Sequence, residues 1–243
     1  MNNYDLDELN AGRSMGMPIE NEQSMSTYLS HVMRSVYMRM TYGLLLTALT
    51  SYVIASSPTM MKAIFSSSII FYGLMIAELA LVVILSARIN KMSSGTARLL
   101  FFAYAVLNGV VFTSIFFMYS PAVIFKTFLI TAGTFGAMSI YGYTTKSDLS
   151  KIGSYLYMAL IGLIITAVVN IFVKSSGLDW VVSLAGVAIF VGLTAWDTQK
   201  IKAMAMATDE QNVSKLATMG ALSLYLDFIN QFLYLLRIFG RER

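Results

Sequence analysis

The sequence predicts an all-α membrane protein, a bundle of seven transmembrane helices, and three observations carry that expectation. Hydrophobic residues make up 57% of the 243-residue chain and charged residues only 12%, far from the balance of a water-soluble globule. The mean hydropathy is +0.67. The apolar residues gather into seven segments, each close to the ~20 residues that cross the hydrocarbon core as a helix. Turn-forming or charged residues separate them, and the seven segments fill nearly all of the chain after residue 30, which leaves no room for a second globular domain.

Residues 1–30 carry Asp5, Asp7, Glu8, Glu20 and Glu22 against Arg13 and read as a disordered acidic tail, ahead of a transmembrane domain at 31–243. No basic stretch followed by an apolar one opens the chain, so this tail is not a signal peptide. The first apolar segment, 36–56, is closed by Ser57-Pro58. The second, 64–87, gives way to the polar connector 91–95, and the third, 97–118, stops at Ser120-Pro121. The fourth, 122–143, contains a run of small residues from Thr131 to Ala137 that reads as a site of close helix approach. The fifth, 154–173, ends at Lys174-Ser175-Ser176-Gly177; the sixth and seventh occupy 180–203 and 216–239. Tyr119 and Trp180 lie at segment ends, where an interfacial aromatic belt belongs.

Charge orients this bundle. With the N-terminus inside, eleven Lys and Arg residues fall on the inner side and six on the outer, as the positive-inside rule requires. Arg237, Arg241 and Arg243 oppose it, because a full seventh span puts them outside and a re-entrant one inside; the length of the segment favours a full span. Basic loops beside membrane spans are no sign of nucleic acid. The absence of cysteine excludes disulfides, thiolate metal sites and a cysteine nucleophile, and His31 stands alone, so no metal or other cofactor is expected.

The functional clue lies in acids that membrane segments rarely tolerate. Asp227 sits inside the seventh segment, Asp197 near the end of the sixth, and Glu78 inside the second. Each costs roughly 2.5–3.5 kcal/mol if it faces lipid, so each should face the protein interior or a water-filled path. Gly220, Ser223, Asp227, Asn230, Gln231 and Tyr234 recur at steps of three and four, which makes a polar stripe and turns Asp227 toward the middle of the bundle. The short connection between the last two segments puts Asp197 and Asp227 at comparable depth, within direct or one-water hydrogen-bonding reach. Two close carboxylates in low dielectric share protons as one unit, the property of a proton-sensitive switch. A neutral Asp bonded to a neighbouring helix is the structural alternative. Glu78 is an ion or proton contact whose partner the sequence does not name. Arg88, at the inner end of the second segment, reads equally as a charged partner for these acids or as a positive-inside anchor.

Two stretches carry a resemblance: Gly192-Leu193-Thr194-Ala195-Trp196-Asp197-Thr198-Gln199-Lys200-Ile201 and Ala221-Leu222-Ser223-Leu224-Tyr225-Leu226-Asp227-Phe228-Ile229-Asn230. Both resemble the signatures of the Bax inhibitor family, also called the transmembrane Bax-inhibitor-motif family, in its bacterial branch. The similarity extends over nearly all of the chain after residue 30, including Tyr104 to Gly109 and Thr144 to Ser150. It implies a seven-helix fold with the last helix central and a place in the bacterial inner membrane. It also implies a pH-sensitive calcium leak, in which Asp197 and Asp227 sense protons and gate while Glu78 lies on the ion path. The family's latch is an arginine of the second helix, for which Arg88 is the nearest fit. Trp196 replaces the more usual tyrosine of the sixth-helix motif.

The leading reading is therefore a cation leak with calcium as the transported ion, since hard divalent cations take oxygen ligands. The alternative is a regulatory protein that binds a membrane-bound AAA protease through the acidic tail. An intramembrane aspartyl protease also uses two aspartates on neighbouring helices, but neither acid here stands in a Gly-x-Gly-Asp setting and no Pro-Ala-Leu follows. No enzymatic activity is expected.

Overall fold

A computed structural model of the protein describes residues 19–208 and 212–240, and helices account for nearly all of them, with no strand among the described residues. The helices are α1 (Ile19–Ala55), α2 (Pro58–Phe65), α3 (Ser68–Arg88), α4 (Ser94–Phe112), α5 (Ile115–Met118), α6 (Pro121–Thr144), α7 (Ser150–Val173), α8 (Ser176–Met206) and α9 (Val213–Phe239). The expected spans map onto α1, α3, α4, α6, α7, α8 and α9. Six helical stretches are individually long and apolar enough to cross a bilayer, and the number is seven if α1 and α2, bent by 99° at their junction, count as one span. Pro58 causes that break: it occupies the start of α2, where its missing N–H costs nothing, and the Ser57 hydroxyl caps the new helix.

The N-terminal boundary differs from expectation. Helix α1 starts at Ile19, so residues 19–30 are helical rather than a disordered tail, and residues 1–18 lie outside the described residues. Its extension holds because Leu29, Val32, Met33, Val36 and Met40 form a buried stripe at helical spacing that joins the main core. At the end of α7 the left-handed position is taken by Lys174, with φ 53°, and Gly177 instead falls in the first turn of α8. The Ser175 hydroxyl caps α8 by accepting from the Leu178 N–H.

Helix α9 is the axis of the bundle. Its faces pack on α1, α4, α6 and α8, whereas α3 packs mainly on α4 and α7 on α8. The outer pair are correspondingly lipid-facing, with Leu85 alone buried in α3 and Gly153 and Leu163 in α7. Arg237 near the end of α9 lies 4.0 Å from Asp179 in the first turn of α8, so α9 runs the full height of the bundle antiparallel to α8. A re-entrant last segment is thereby excluded; Arg241 and Arg243 lie outside the described residues.

Tyr225 anchors the centre. It is fully buried, meets Phe101 and Tyr104 edge-on at 5.7 and 5.8 Å, and its hydroxyl reaches the Thr47 hydroxyl at 2.6 Å. Since the single Thr47 hydroxyl proton is shared between the Gly43 and Ala105 carbonyls, Tyr225 is the donor between the two hydroxyls. Tyr225→Phe keeps the packing and removes that bond, and unfolding of the detergent-solubilised variant should show a loss of about 1 kcal/mol. An unchanged unfolding midpoint would mean the bond adds nothing to the packing.

The small residues of the fourth span do not act as expected. Nothing lies within 4 Å of a methyl group built on Gly133 or Gly136, while Thr131 and Phe135 on the opposite face are the buried ones. Close helix approach occurs instead at Gly142, against the Ala195 backbone of α8, and at Gly109, against the Thr47 carbonyl of α1.

Candidate functional site

Because α3 leans on α4 and α7 on α8, a gap remains between the two outer helices, and a cavity of about 580 Å³ fills it. Its wall brings together Glu78 of α3, Tyr104 and Asn108 of α4, Tyr157 of α7, Asp197 of α8, and Ser223, Asp227, Asn230 and Tyr234 of α9. Three acids from three separate spans thus meet one interior space. The stripe predicted on α9 supplies one side of it, but Gln231 does not line the cavity: it is fully buried, and its amide oxygen and nitrogen have no hydrogen-bond partner. Gly220 packs on Ile201 and Val36.

Asp197 and Asp227 are 5% and 4% exposed, so neither charge is shared with bulk water or lipid. They are close enough for the charge of Asp197 to act on Asp227, yet no direct hydrogen bond joins them among the described residues. The Oδ2 atom of Asp227 is buried with no partner. Tyr157 feels both carboxylates, and Lys200, one turn beyond Asp197, brings a positive charge to it. Trp196 packs on Tyr157: the two rings meet edge-on at 5.2 Å, and the Lys200 ammonium lies 4.7 Å from the Trp196 ring centre.

The partner of Glu78, unnamed by the sequence, is Asn108, whose amide N–H donates to the Glu78 carboxylate. The same amide reaches the Tyr104 hydroxyl at 3.4 Å, one helical turn away. The Asn108 oxygen is left buried without a partner. Asn108 and Tyr104 were absent from the expected site residues, although polar groups four apart in an otherwise apolar helix are the signal that marks them. Arg88 stands exposed in the last turn of α3 and makes no hydrogen bond or ion pair among the described residues. The structure does not bring it to the acids, which favours the anchor reading of this residue.

The signature stretch of α8 is tied to the connection that precedes α7. Gln199, two residues beyond Asp197, accepts from the Leu149 N–H at 2.9 Å and donates to the Ser147 carbonyl at 2.8 Å, while Lys202 donates to the Tyr143 carbonyl at 2.7 Å. Hydrogen bonds from the Ser150 side chain and backbone hold the exposed Asp148 carboxyl below its ordinary range at the start of α7. The 145–149 connection is thereby stapled to α8 near the acid pair.

Chemically, the cavity offers a series of hard oxygen donors inside an apolar bundle. Among the described residues no three of His, Cys, Asp and Glu converge as a resident metal site needs. Buried oxygens without partners cost about 1–3 kcal/mol each.

Comparison with known proteins bears on this arrangement. The profile of the family described as Inhibitor of apoptosis-promoting Bax1 matches residues 29–243. The chain is similar to the inner membrane protein YbhL of Escherichia coli (strain K12), 51% identical over 218 residues that cover 88% of this chain and 93% of the relative. It is also similar to an uncharacterized protein of Borreliella burgdorferi, 47% identical over 86% of this chain and 90% of the relative. An uncharacterized protein of Rickettsia prowazekii is 41% identical over 88% of this chain and 91% of its own length.

Proposed function

Because the chain belongs to the Bax inhibitor family of integral membrane proteins, we propose that it is a pH-sensitive cation leak with calcium as its cargo. The observation that carries this reading is the single cavity on which Glu78, Asp197 and Asp227 converge from three membrane-crossing helices. Glu78 and the unpartnered Asn108 oxygen present hard ligands on the path, and the Asp197–Asp227 pair gates it through proton occupancy. The other titratable groups at the site are Tyr104, Tyr157, Lys200 and Tyr234. This assigns transport, not catalysis, to the acids.

We take the N-terminus as cytoplasmic on the balance of Lys and Arg. The bilayer is taken as the bacterial inner membrane on the name of the Escherichia coli relative. The path assignment is tested by Glu78→Gln in liposomes loaded with a calcium indicator. Flux should fall about tenfold or more, equivalent to at least ~1.4 kcal/mol on the barrier. Flux equal to wild type would remove Glu78 from the path.

A further inference from the structure

Away from the cavity, two guanidinium groups converge where no negative charge among the described residues meets them. Arg39 of α1 donates from Nη1 to the Ser214 carbonyl and, at 2.7 Å, to the Thr218 hydroxyl. Its Nη2 donates to the Ser214 hydroxyl at 3.1 Å. Arg98 of α4 donates to that same hydroxyl oxygen at 2.9 Å. Like charges held this close repel, and the ordinary remedy, a carboxylate between them, is absent: neither arginine forms an ion pair among the described residues.

The surroundings add positive potential. Ser214 lies in the first turn of α9 and Arg98 just beyond the first turn of α4, and neither helix has an acidic residue in its first turn. Two helix N-termini, each with partial positive charge, therefore flank the arginines. Ser214 completes the pattern. Its hydroxyl oxygen accepts from both guanidiniums, which occupies both lone pairs, so its own proton is left to donate. Arg98 is exposed and spends one of its five N–H donors on Ser214, so the remaining donors are accessible from outside the bundle.

We propose that Arg39, Arg98 and Ser214 form a binding site for a phosphate-type oxyanion, which ties α1 and α4 to the start of the central helix. An oxyanion matches the donor set: planar guanidiniums recognise phosphate oxygens by charge-assisted, often bidentate bonds, the Ser214 hydroxyl adds a further donor, and the helix dipoles favour negative charge. A lipid headgroup and a free phosphate compound share this chemistry, and the site's position at a bundle end is open to both.

The test uses the full chain in phosphatidylcholine nanodiscs, titrated with inorganic phosphate and followed by calorimetry. A parallel set of discs contains phosphatidylglycerol and no free phosphate, followed by thermal unfolding. Wild-type protein should bind phosphate or be stabilised by phosphatidylglycerol. Arg98→Gln, at an exposed position that the fold tolerates, should weaken either effect about tenfold or more. Arg39→Lys, which keeps the charge and loses the planar fork, should weaken it as well. Stabilisation by the anionic lipid alone identifies a headgroup site, and a response to phosphate alone identifies a soluble ligand; both support the proposal. No response to either source, or Arg98→Gln indistinguishable from wild type, overturns it.

Discussion

Asp227→Asn is expected to flatten the pH dependence of calcium flux while leaving the fold intact. Asparagine has the shape of aspartate, and at a position 4% exposed in the central helix it preserves the packing of α9 while removing the group that exchanges a proton. The buried Oδ2 of Asp227 has no partner, so no existing bond to that atom is lost. With one member of the pair unable to ionise, Asp197 no longer shares its proton occupancy with a neighbour, and the joint titration that defines the switch disappears. Flux measured in liposomes across about pH 5–9 should then vary much less than for wild type. If the protein instead regulates a membrane-bound protease through its N-terminal residues, the variant should still bind that partner while a chain lacking residues 1–30 should not. A wild-type pH profile from correctly inserted Asp227→Asn protein would defeat the gating assignment and favour regulation.

Gly142→Ala should be the most damaging single-methyl change in the fourth span. Its new carbon would clash with the Ala195 carbonyl oxygen and sit 2.8 Å from the Ala195 carbonyl carbon. Both are backbone atoms of a continuous helix, so α6 and α8 must separate rather than one side chain rotate. Overpacking of this kind costs about 1–3 kcal/mol, read as a loss of unfolding free energy in detergent. Because Ala195 lies two residues before Asp197, the displacement should also alter flux. Gly133→Ala is the matched control, since open space surrounds it; its effect should stay within about 0.5 kcal/mol. Equal effects at the two glycines would contradict the packing described for α6 and α8.

The contrast between these glycines marks where sequence reasoning stops. Hydropathy located the membrane-crossing helices because the bilayer imposes a length and an apolar composition on each segment independently of its neighbours. It could not say which face of the fourth span carries the close contact: Gly133 and Gly136 are as small as Gly142, and the difference lies in where α8 passes. The early start of α1 escaped the apolar criterion because residues 19–35 are mixed in polarity, although the stripe Leu29, Val32, Met33, Val36 and Met40 was present. For the site, the polar stripe of α9 correctly brought Ser223, Asp227, Asn230 and Tyr234 to one cavity wall. Gln231 was assigned to the same wall but turns away, since a step of four residues rotates it about 40° past Asp227. The Glu78–Asn108 bond joins residues 30 apart on two helices and has no local signature. The expected latch at Arg88 was what the family resemblance implied, and its exposure at the end of α3 is a tertiary fact.

The central claim is that the acid-lined cavity conducts a cation under proton control. Calcium flux through purified wild-type protein in liposomes, recorded from about pH 5 to 9 against protein-free vesicles, tests it most directly. The account predicts protein-dependent flux that changes with pH across this range and falls on Glu78→Gln. Flux no greater than in protein-free vesicles, or flux that is constant across the range, would contradict it.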